Sequence, residues 1–272
     1  MPANRTLGII AGNGVYPETF IAAARRHAPG IRLVIAAFEN ETKPELGGLA
    51  DAIEWLRVGQ LGKMLKFFRK EGATEAVMVG QIAPKNLYDL QPDLRAMVLL
   101  FNLQEKNAHT IFGAIADELK KDGVDLVDAT PWLATLMPGK EFNLGPKLSD
   151  GQKADVEFGL RIARETSRLE IGQLVVVKNG AVLAVEAFEG TDKCLARGGE
   201  LAGKDGGAVA VKVAKPNHDM RFDIPCIGPQ TLEVCARSGV AVLALESGKT
   251  LLLEREACEA LAKRNKISLT TI

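Results

Sequence analysis

Through the first half of the chain, short aliphatic and β-branched runs alternate with longer amphipathic stretches, and that alternation restricts the fold to βαβ units around a parallel sheet. Leu7 to Ile10 and Leu33 to Ala37 read as strands, with a helix from Pro17 to Arg26 between them. Proline in the first turn of that helix removes an N–H that has no partner there anyway. Ala50 to Ile53, continued by Trp55 and Leu56, reads as a short third strand. From Gly62 to Lys70, Met64, Leu65, Phe67 and Phe68 fall at helical spacing with Lys63, Lys66, Arg69 and Lys70 interleaved, which predicts an amphipathic helix with a basic face. Ala76 to Val79 follows as a buried strand, and Ala96 to Leu103 and Thr110 to Lys121 as helices. The expectation is an N-terminal Rossmann-like α/β domain over residues 1–130.

Periodicity lapses over residues 131–148, where Pro138, Gly139, Gly145 and Pro146 predict a linker. The remainder, 149–272, reads as a mixed α/β domain. It opens on a helix from Ser149 to about Arg168, followed by strands Gln173 to Val177 and Ala181 to Ala187 around Asn179-Gly180, a strong hairpin signal. Further strands are expected at Ala208 to Val213, Ala241 to Leu245 and Thr250 to Leu253, with helices at Thr231 to Ser238 and Glu254 to Lys263.

With 47% hydrophobic and 25% charged residues, the composition is that of a soluble globular protein and excludes disordered, collagen-like and coiled-coil chains. Lys plus Arg and Asp plus Glu both number 34, so no net field draws in a nucleic acid, and none is expected as a partner. Cys194, Cys226, Cys235 and Cys258 match neither a zinc spacing nor a dense disulfide framework, which predicts reduced thiols in a cytoplasmic protein. No apolar run reaches the length of a membrane span, so any contact with a membrane is expected to be peripheral.

Two segments concentrate chemistry. Gly12-Asn13-Gly14, between a strand and a helix, is an arrangement that aims backbone N–H groups at an anion such as phosphate. It lacks the full G-x-G-x-x-G spacing, and a tight turn without a ligand is the alternative. In Asp219-Met-Arg221-Phe-Asp223-Ile-Pro225, an extended backbone places Asp219, Arg221 and Asp223 on one face and Met220, Phe222 and Ile224 on the other. Two carboxylates around an arginine suit a Mg²⁺ site beside a phosphate clamp; a salt-bridge ladder on a solvated strand is the alternative. Lys212 and Lys215 lie just upstream, and Glu186, Glu189, Gly190, Thr191 and Asp192 close the preceding hairpin. Strand ends are where open sheets place ligands. His27, His109 and His218 have no metal-ligand spacing.

The motifs Ala11-Gly12-Asn13-Gly14, Arg168-Leu-Glu-Ile-Gly-Gln173, Val185-Glu-Ala-Phe-Glu-Gly-Thr-Asp192 and Lys215-Pro216 through Arg221-Phe-Asp-Ile-Pro225 occur in this order along nearly the whole chain. In these motifs the chain resembles the LpxI family of UDP-2,3-diacylglucosamine pyrophosphatases. The resemblance implies a two-domain enzyme of lipid A biosynthesis that hydrolyses a lipid-linked UDP-sugar with Mg²⁺, giving UMP and 2,3-diacylglucosamine 1-phosphate. It makes Asp223 the catalytic carboxylate, as a metal ligand, a water-orienting base or both. The residues themselves add Arg221 and Asp219 beside it, and Asp223 and Glu186 as expected metal ligands, with Glu189 or Asp192 as alternatives to Glu186. Gly12, Asn13, Gly14, Lys215, Glu189, Gly190, Thr191 and Asp192 are the expected substrate contacts. A homodimer and peripheral contact with the inner membrane are further expectations. The competing reading is a non-catalytic nucleotide-sugar or dinucleotide sensor; an NAD-type oxidoreductase would want the full glycine fingerprint.

Overall fold

The computed structural model describes residues 5–82, 92–105, 108–215, 219–222 and 224–272, and divides the chain into two compact units. The first comprises residues 1–133 with Met220–Phe222, and the second comprises Ala134–Asp219 with Asp223–Ile272.

The first unit runs β1 (Thr6–Ala11), α1 (Tyr16–His27), β2 (Arg32–Phe38), β3 (Ala52–Leu56), α2 (Leu61–Lys70), β4 (Glu75–Val79), α3 (Leu94–Asn102), α4 (Ala108–Lys121), β5 (Asp125–Leu126) and the short α5 (Thr130–Leu133). Its five strands are parallel in the order β3-β2-β1-β4-β5, so the chain reverses direction across the sheet between β1 and β4. This is the Rossmann-like arrangement that the alternation of runs implies. β1 and β2 are buried almost end to end, as expected of strands covered on both faces. The α2 face carrying Met64, Leu65, Phe67 and Phe68 packs inward, and the interleaved cations stay outside.

The second unit contains β6 (Asn143–Leu144), α6 (Asp150–Arg168), β7 (Leu174–Lys178), β8 (Ala181–Val185), α7 (Thr191–Leu201), β9 (Ala208–Lys212), β10 (Cys226–Ile227), α8 (Pro229–Ser238), β11 (Val240–Leu245), β12 (Leu251–Leu252), α9 (Arg255–Asn265) and β13 (Ser268–Thr271). The main sheet has the order β6-β13-β11-β9-β7-β8. β13, β11 and β9 are mutually parallel, while β7 runs antiparallel to both β9 and β8 and β6 antiparallel to β13. β8 therefore points the same way as β9, and the C-terminal ends of β8, β9, β11 and β13 share one edge of the sheet. The opposite edge carries the Asn179-Gly180 turn, both residues at positive φ, with their N–H groups donated to the buried Asp155 carboxylate at 2.8 Å each.

Residues 131–148, read from the sequence as a linker, carry a 3-10 turn at Ala134–Leu136 and strand β6, paired with β13. Gly145 is seated there so closely that an added Cβ would lie 2.0 Å from the Ile267 carbonyl oxygen. Glycine and proline mark a backbone pressed against β13 in this stretch.

Helix α7 has no counterpart in the sequence reading, because Gly198 and Gly199 weaken its helical pattern. The structure supplies the reason for them. A Cβ on Gly198 would lie 2.5 Å from Val176 Cβ, and one on Gly199 would lie 2.1 Å from the Ser238 carbonyl oxygen. The pair lets α7 settle on β7 and α8. Replacing Gly199 with Ala is expected to lower stability by about 1–3 kcal/mol. Gly113→Ala, where nothing lies within 4 Å of the new methyl, is expected to raise it by up to about 1 kcal/mol. Chemical denaturation of the two variants reads the opposite signs.

Candidate functional site

In the first unit, the Gly12 turn sits where β1 and β4 end side by side. Gly12 N–H donates to the Val79 carbonyl (2.8 Å), Asn13 N–H to the Gln81 carbonyl (2.7 Å), and Gly14 N–H to its neighbour's Asn13 Oδ1 (2.5 Å). A Cβ on Gly12 would meet the Gln81 carbonyl oxygen at 2.6 Å, and one on Gly80 the Asn13 carbonyl oxygen at 2.7 Å. The glycines allow two loops to cross at the switch point of the sheet, the place where open α/β sheets bind ligands. The three N–H groups expected to cradle an anion are engaged within this crossing. The buried Thr42 hydroxyl fastens the neighbouring strand ends, donating to Ala11 O and accepting from Phe38 N–H.

In the second unit, polar groups gather at the edge where β8 and β9 end. Gly172 begins the construction: a Cβ there would lie 1.9 Å from the Glu186 carbonyl oxygen, so only glycine lets the chain after α6 pass beneath residue 186. Glu186 N–H then donates to the Leu174 carbonyl (2.8 Å), and Gln173 N–H donates to Glu186 Oε2 (3.3 Å). The carboxylate is held at the head of α7. There Gly190, at φ 85°, makes the turn that starts the helix, and Thr191 follows as its first residue.

A relay of three side chains results. Lys212 Nζ, at the end of β9, donates to Thr191 Oγ1 at 2.8 Å, and the Thr191 hydroxyl donates to Glu186 Oε1 at 2.8 Å. Lys212 is 5% and Glu186 9% exposed. A buried cation and a buried carboxylate are joined through one hydroxyl that accepts from the first and donates to the second, and loss of any member strands the others.

The remaining expected residues fall around this relay in distinct roles. Glu189 accepts from Arg197 at 2.5 Å and from Ala187 N–H at 3.1 Å; the guanidinium hydrogen bond holds its carboxyl below the usual carboxylate range. It braces the turn before α7. Asp192 accepts from Gln230 Nε2 (2.9 Å) and Thr231 Oγ1 (3.4 Å), joining the first turns of α7 and α8. Lys215 is three-quarters buried, 3.9 Å from Glu170. After β11, Glu246 accepts from Ala214 N–H (3.1 Å) and Lys249 (2.9 Å), which fixes the backbone just before Lys215.

The extended backbone expected to align Asp219 and Arg221 on one face is replaced by a turn at Met220–Phe222. Phe222 supplies the reason: its ring packs against the core of the first unit, 5.8 Å from the Phe112 centroid, and three residues suffice for the turn that delivers it. Arg221 is exposed, its guanidinium 6.0 Å from the Phe222 ring centre. Asp219 is half-buried. Asp223, with Pro216 and His218, lies outside the described residues, as does the His109 side chain. Lys212 is a site residue that its local sequence marks only by closing an otherwise apolar strand, Ala208-Val-Ala-Val.

Among the described residues no group of three or more His, Cys, Asp or Glu side chains converges to hold a metal ion. None of the four cysteines is in a disulfide. Burial, above all, pushes the Cys194, Cys235 and Cys258 thiols up to about 12, so none offers a thiolate nucleophile near neutral pH. Ellman's reagent is therefore expected to modify Cys226 in the native protein and all four thiols only after unfolding. Thr191→Val removes the bridging hydroxyl at constant shape and is expected to lower stability by about 1–3 kcal/mol, read by denaturant unfolding.

The LpxI N-terminal domain profile matches residues 6–136 and the LpxI C-terminal domain profile residues 142–270. The UDP-2,3-diacylglucosamine pyrophosphatase LpxI of Caulobacter vibrioides is 33% identical over 269 residues, covering 95% of this chain and 94% of the relative. Among solved structures, the biotin carboxylase domain of Hydrogenobacter thermophilus 2-oxoglutarate carboxylase with MgADP is 16% identical at a TM-score of 0.28, the match covering 73% of this chain and 41% of that one. N5-carboxyaminoimidazole ribonucleotide synthetase from Thermotoga maritima is 12% identical at a TM-score of 0.24, over 67% of this chain and 41% of that one. Likenesses this weak carry no argument.

Proposed function

The chain belongs to the LpxI family, and from that premise we propose that it hydrolyses the pyrophosphate bond of UDP-2,3-diacylglucosamine, giving UMP and 2,3-diacylglucosamine 1-phosphate in lipid A biosynthesis. The observation that carries this reading is colinear similarity across both domains to a pyrophosphatase, at 33% identity over 95% of the chain. The relay at the β8–β9 edge supports it physically. A buried lysine and carboxylate are costly to keep in a fold, and an edge where strands end and a helix begins is the kind of place open sheets offer to phosphorylated ligands.

We assign the chemistry as follows. Asp223, in the Arg-x-Asp-x-Pro motif, orients the attacking water. Arg221 and Lys215 neutralise charge on the phosphoryl oxygens, and Asp219 positions Arg221. Gly190, Thr191 and Asp192 present the start of α7 to the substrate, with Glu189 bracing the turn that precedes them, and the Gly12 turn with Asn13 and Gly14 contacts the nucleotide portion.

The donor chemistry fits Mg²⁺. Among the described residues each oxygen of Glu186 accepts a single hydrogen bond, and Mg²⁺ is commonly held by one or two carboxylates with the substrate's own phosphates rather than by an all-protein cluster. Glu186 and Asp223 would hold it; when bound, it supplies Lewis-acid polarisation of the phosphoryl oxygens. Thr191 accepts from Lys212 and donates to Glu186, which fixes the carboxylate at the head of α7.

Purified protein is expected to release UMP from UDP-2,3-diacylglucosamine with Mg²⁺, and chelator is expected to stop the release. Asp223→Ala should lower the rate by at least about a hundredfold with substrate binding retained. Intact hydrolysis in that variant would remove Asp223 from the assignment, and binding without turnover in the natural protein would replace the enzyme with a nucleotide-sugar sensor.

A further inference from the structure

Helix α3 is built the wrong way round for a surface helix. Leu94, Met97, Val98 and Phe101, at the i, i+3, i+4, i+7 spacing of one stripe, face outward, with Leu94 73% and Phe101 87% exposed. The polar anchors lie elsewhere on the helix. Asp93 caps it, accepting from Ala96 N–H (2.9 Å), and reaches across to Gly62 N–H (2.6 Å) in the first turn of α2. Arg95 is tied to Glu118 (2.7 Å) and Asp122 (2.8 Å) on and after α4. The apolar stripe is thus held outward by a fixed helix.

Beside it runs the basic face of α2. Lys63, Lys66 and Arg69 share a groove of about 730 Å³ with Leu94, Val98 and Leu99. Lys70, 81% exposed and 3.9 Å from Glu71, continues the row, and Arg69 lies 3.9 Å from Asp122. Glu118 and Asp122 are already drawn to Arg95, and α3 itself contains no acid. An apolar stripe flanked by cations, with no acid on the stripe, has the charge and polarity of a surface made for the anionic face of a lipid bilayer. A protein partner would need acids placed opposite the cations, whereas a bilayer provides phosphates and an apolar layer together.

We propose that α3 and the basic face of α2 form a membrane-docking surface, with Phe101, Leu94, Met97 and Val98 entering the acyl boundary and Lys66, Arg69 and Lys70 meeting lipid phosphates. The purpose of the surface rests on the reading of the substrate as a diacylated lipid; its geometry does not. No helix among the described residues is long and apolar enough to cross a membrane, so this attachment is peripheral.

Cosedimentation of the full chain with phosphatidylcholine vesicles, with and without phosphatidylglycerol, tests the surface, and UMP release from detergent micelles is measured separately. Binding is expected on the anionic vesicles, weakened by salt. Lys66→Ala should weaken it about fivefold and Phe101→Ser about tenfold, with micellar turnover and thermal stability unchanged in both. No binding, or binding indifferent to both substitutions, overturns the surface even if micellar turnover is normal. Self-association that Phe101→Ser abolishes, without vesicle binding, assigns the stripe to a second copy of the chain and likewise overturns it. Vesicle binding with the expected losses supports the surface, and if micellar turnover is then absent, it is the substrate reading that fails.

Discussion

One threonine hydroxyl connects the two buried ionisable side chains at the edge of the second sheet, and the surrounding backbone is arranged to bring it there. Lys212 closes β9, Glu186 follows β8, and Thr191 begins α7 after a turn that only Gly190 makes without strain. Three glycines permit that convergence. Gly172 lets the Glu186 backbone approach, and Gly198 and Gly199 let α7 rest on β7 and α8. Each has a cost in helix or chain entropy, offset by close packing that a methyl group would prevent. The site edge and the core beneath it are therefore one construction, and changes in the glycines are expected to be felt at the relay.

The first unit uses glycine differently. At the β1–β4 switch point, Gly12 and Gly80 let two loops cross, and the hydrogen bonds between Asn13 and Gln81 close the crossing. A Gly-rich turn before a helix resembles a phosphate cradle in sequence because both need a backbone without side chains. In this unit the N–H groups of residues 12–14 are directed to carbonyls and to the Asn13 side chain. What the turn contributes to a ligand then comes from its shape and from the first turn of α1.

The two helices α2 and α3 show how one rule of patterning can have two outcomes. In α2 the apolar residues are buried and the lysines face water, the usual result of folding around a core. In α3 the apolar stripe is left outside, because Arg95 and Asp93 satisfy their polar groups against α4 and α2 and fix the helix in that rotation. The hydrophobic effect disfavours such a surface in water, and its retention beside a row of cations is what gives it meaning.

Much of the architecture was legible in the chain alone. Continuous aliphatic runs alternating with stretches of period 3.6 determine the parallel sheet of the first unit, and Asn179-Gly180 determines the hairpin of the second, since turn geometry is a local property. The E-G-T-D motif pointed to Glu189, Gly190, Thr191 and Asp192, with Glu186 just before it, although not that Glu189, held by Arg197, would brace the turn before α7. Tertiary structure alone decided the rest. Helix α7 exists because Gly198 and Gly199 find close neighbours from distant strands and helices. Strand β6 exists because β13 pairs with it across more than a hundred residues of sequence. Met220–Phe222 turn because the Phe222 ring has an apolar surface to occupy, which overrides the extended alternation its sequence suggests. Lys212 joins the site because β8 and β9 end where α7 begins. Local sequence sets backbone preference, but which side chains meet is fixed by burial, and burial is a property of the whole chain.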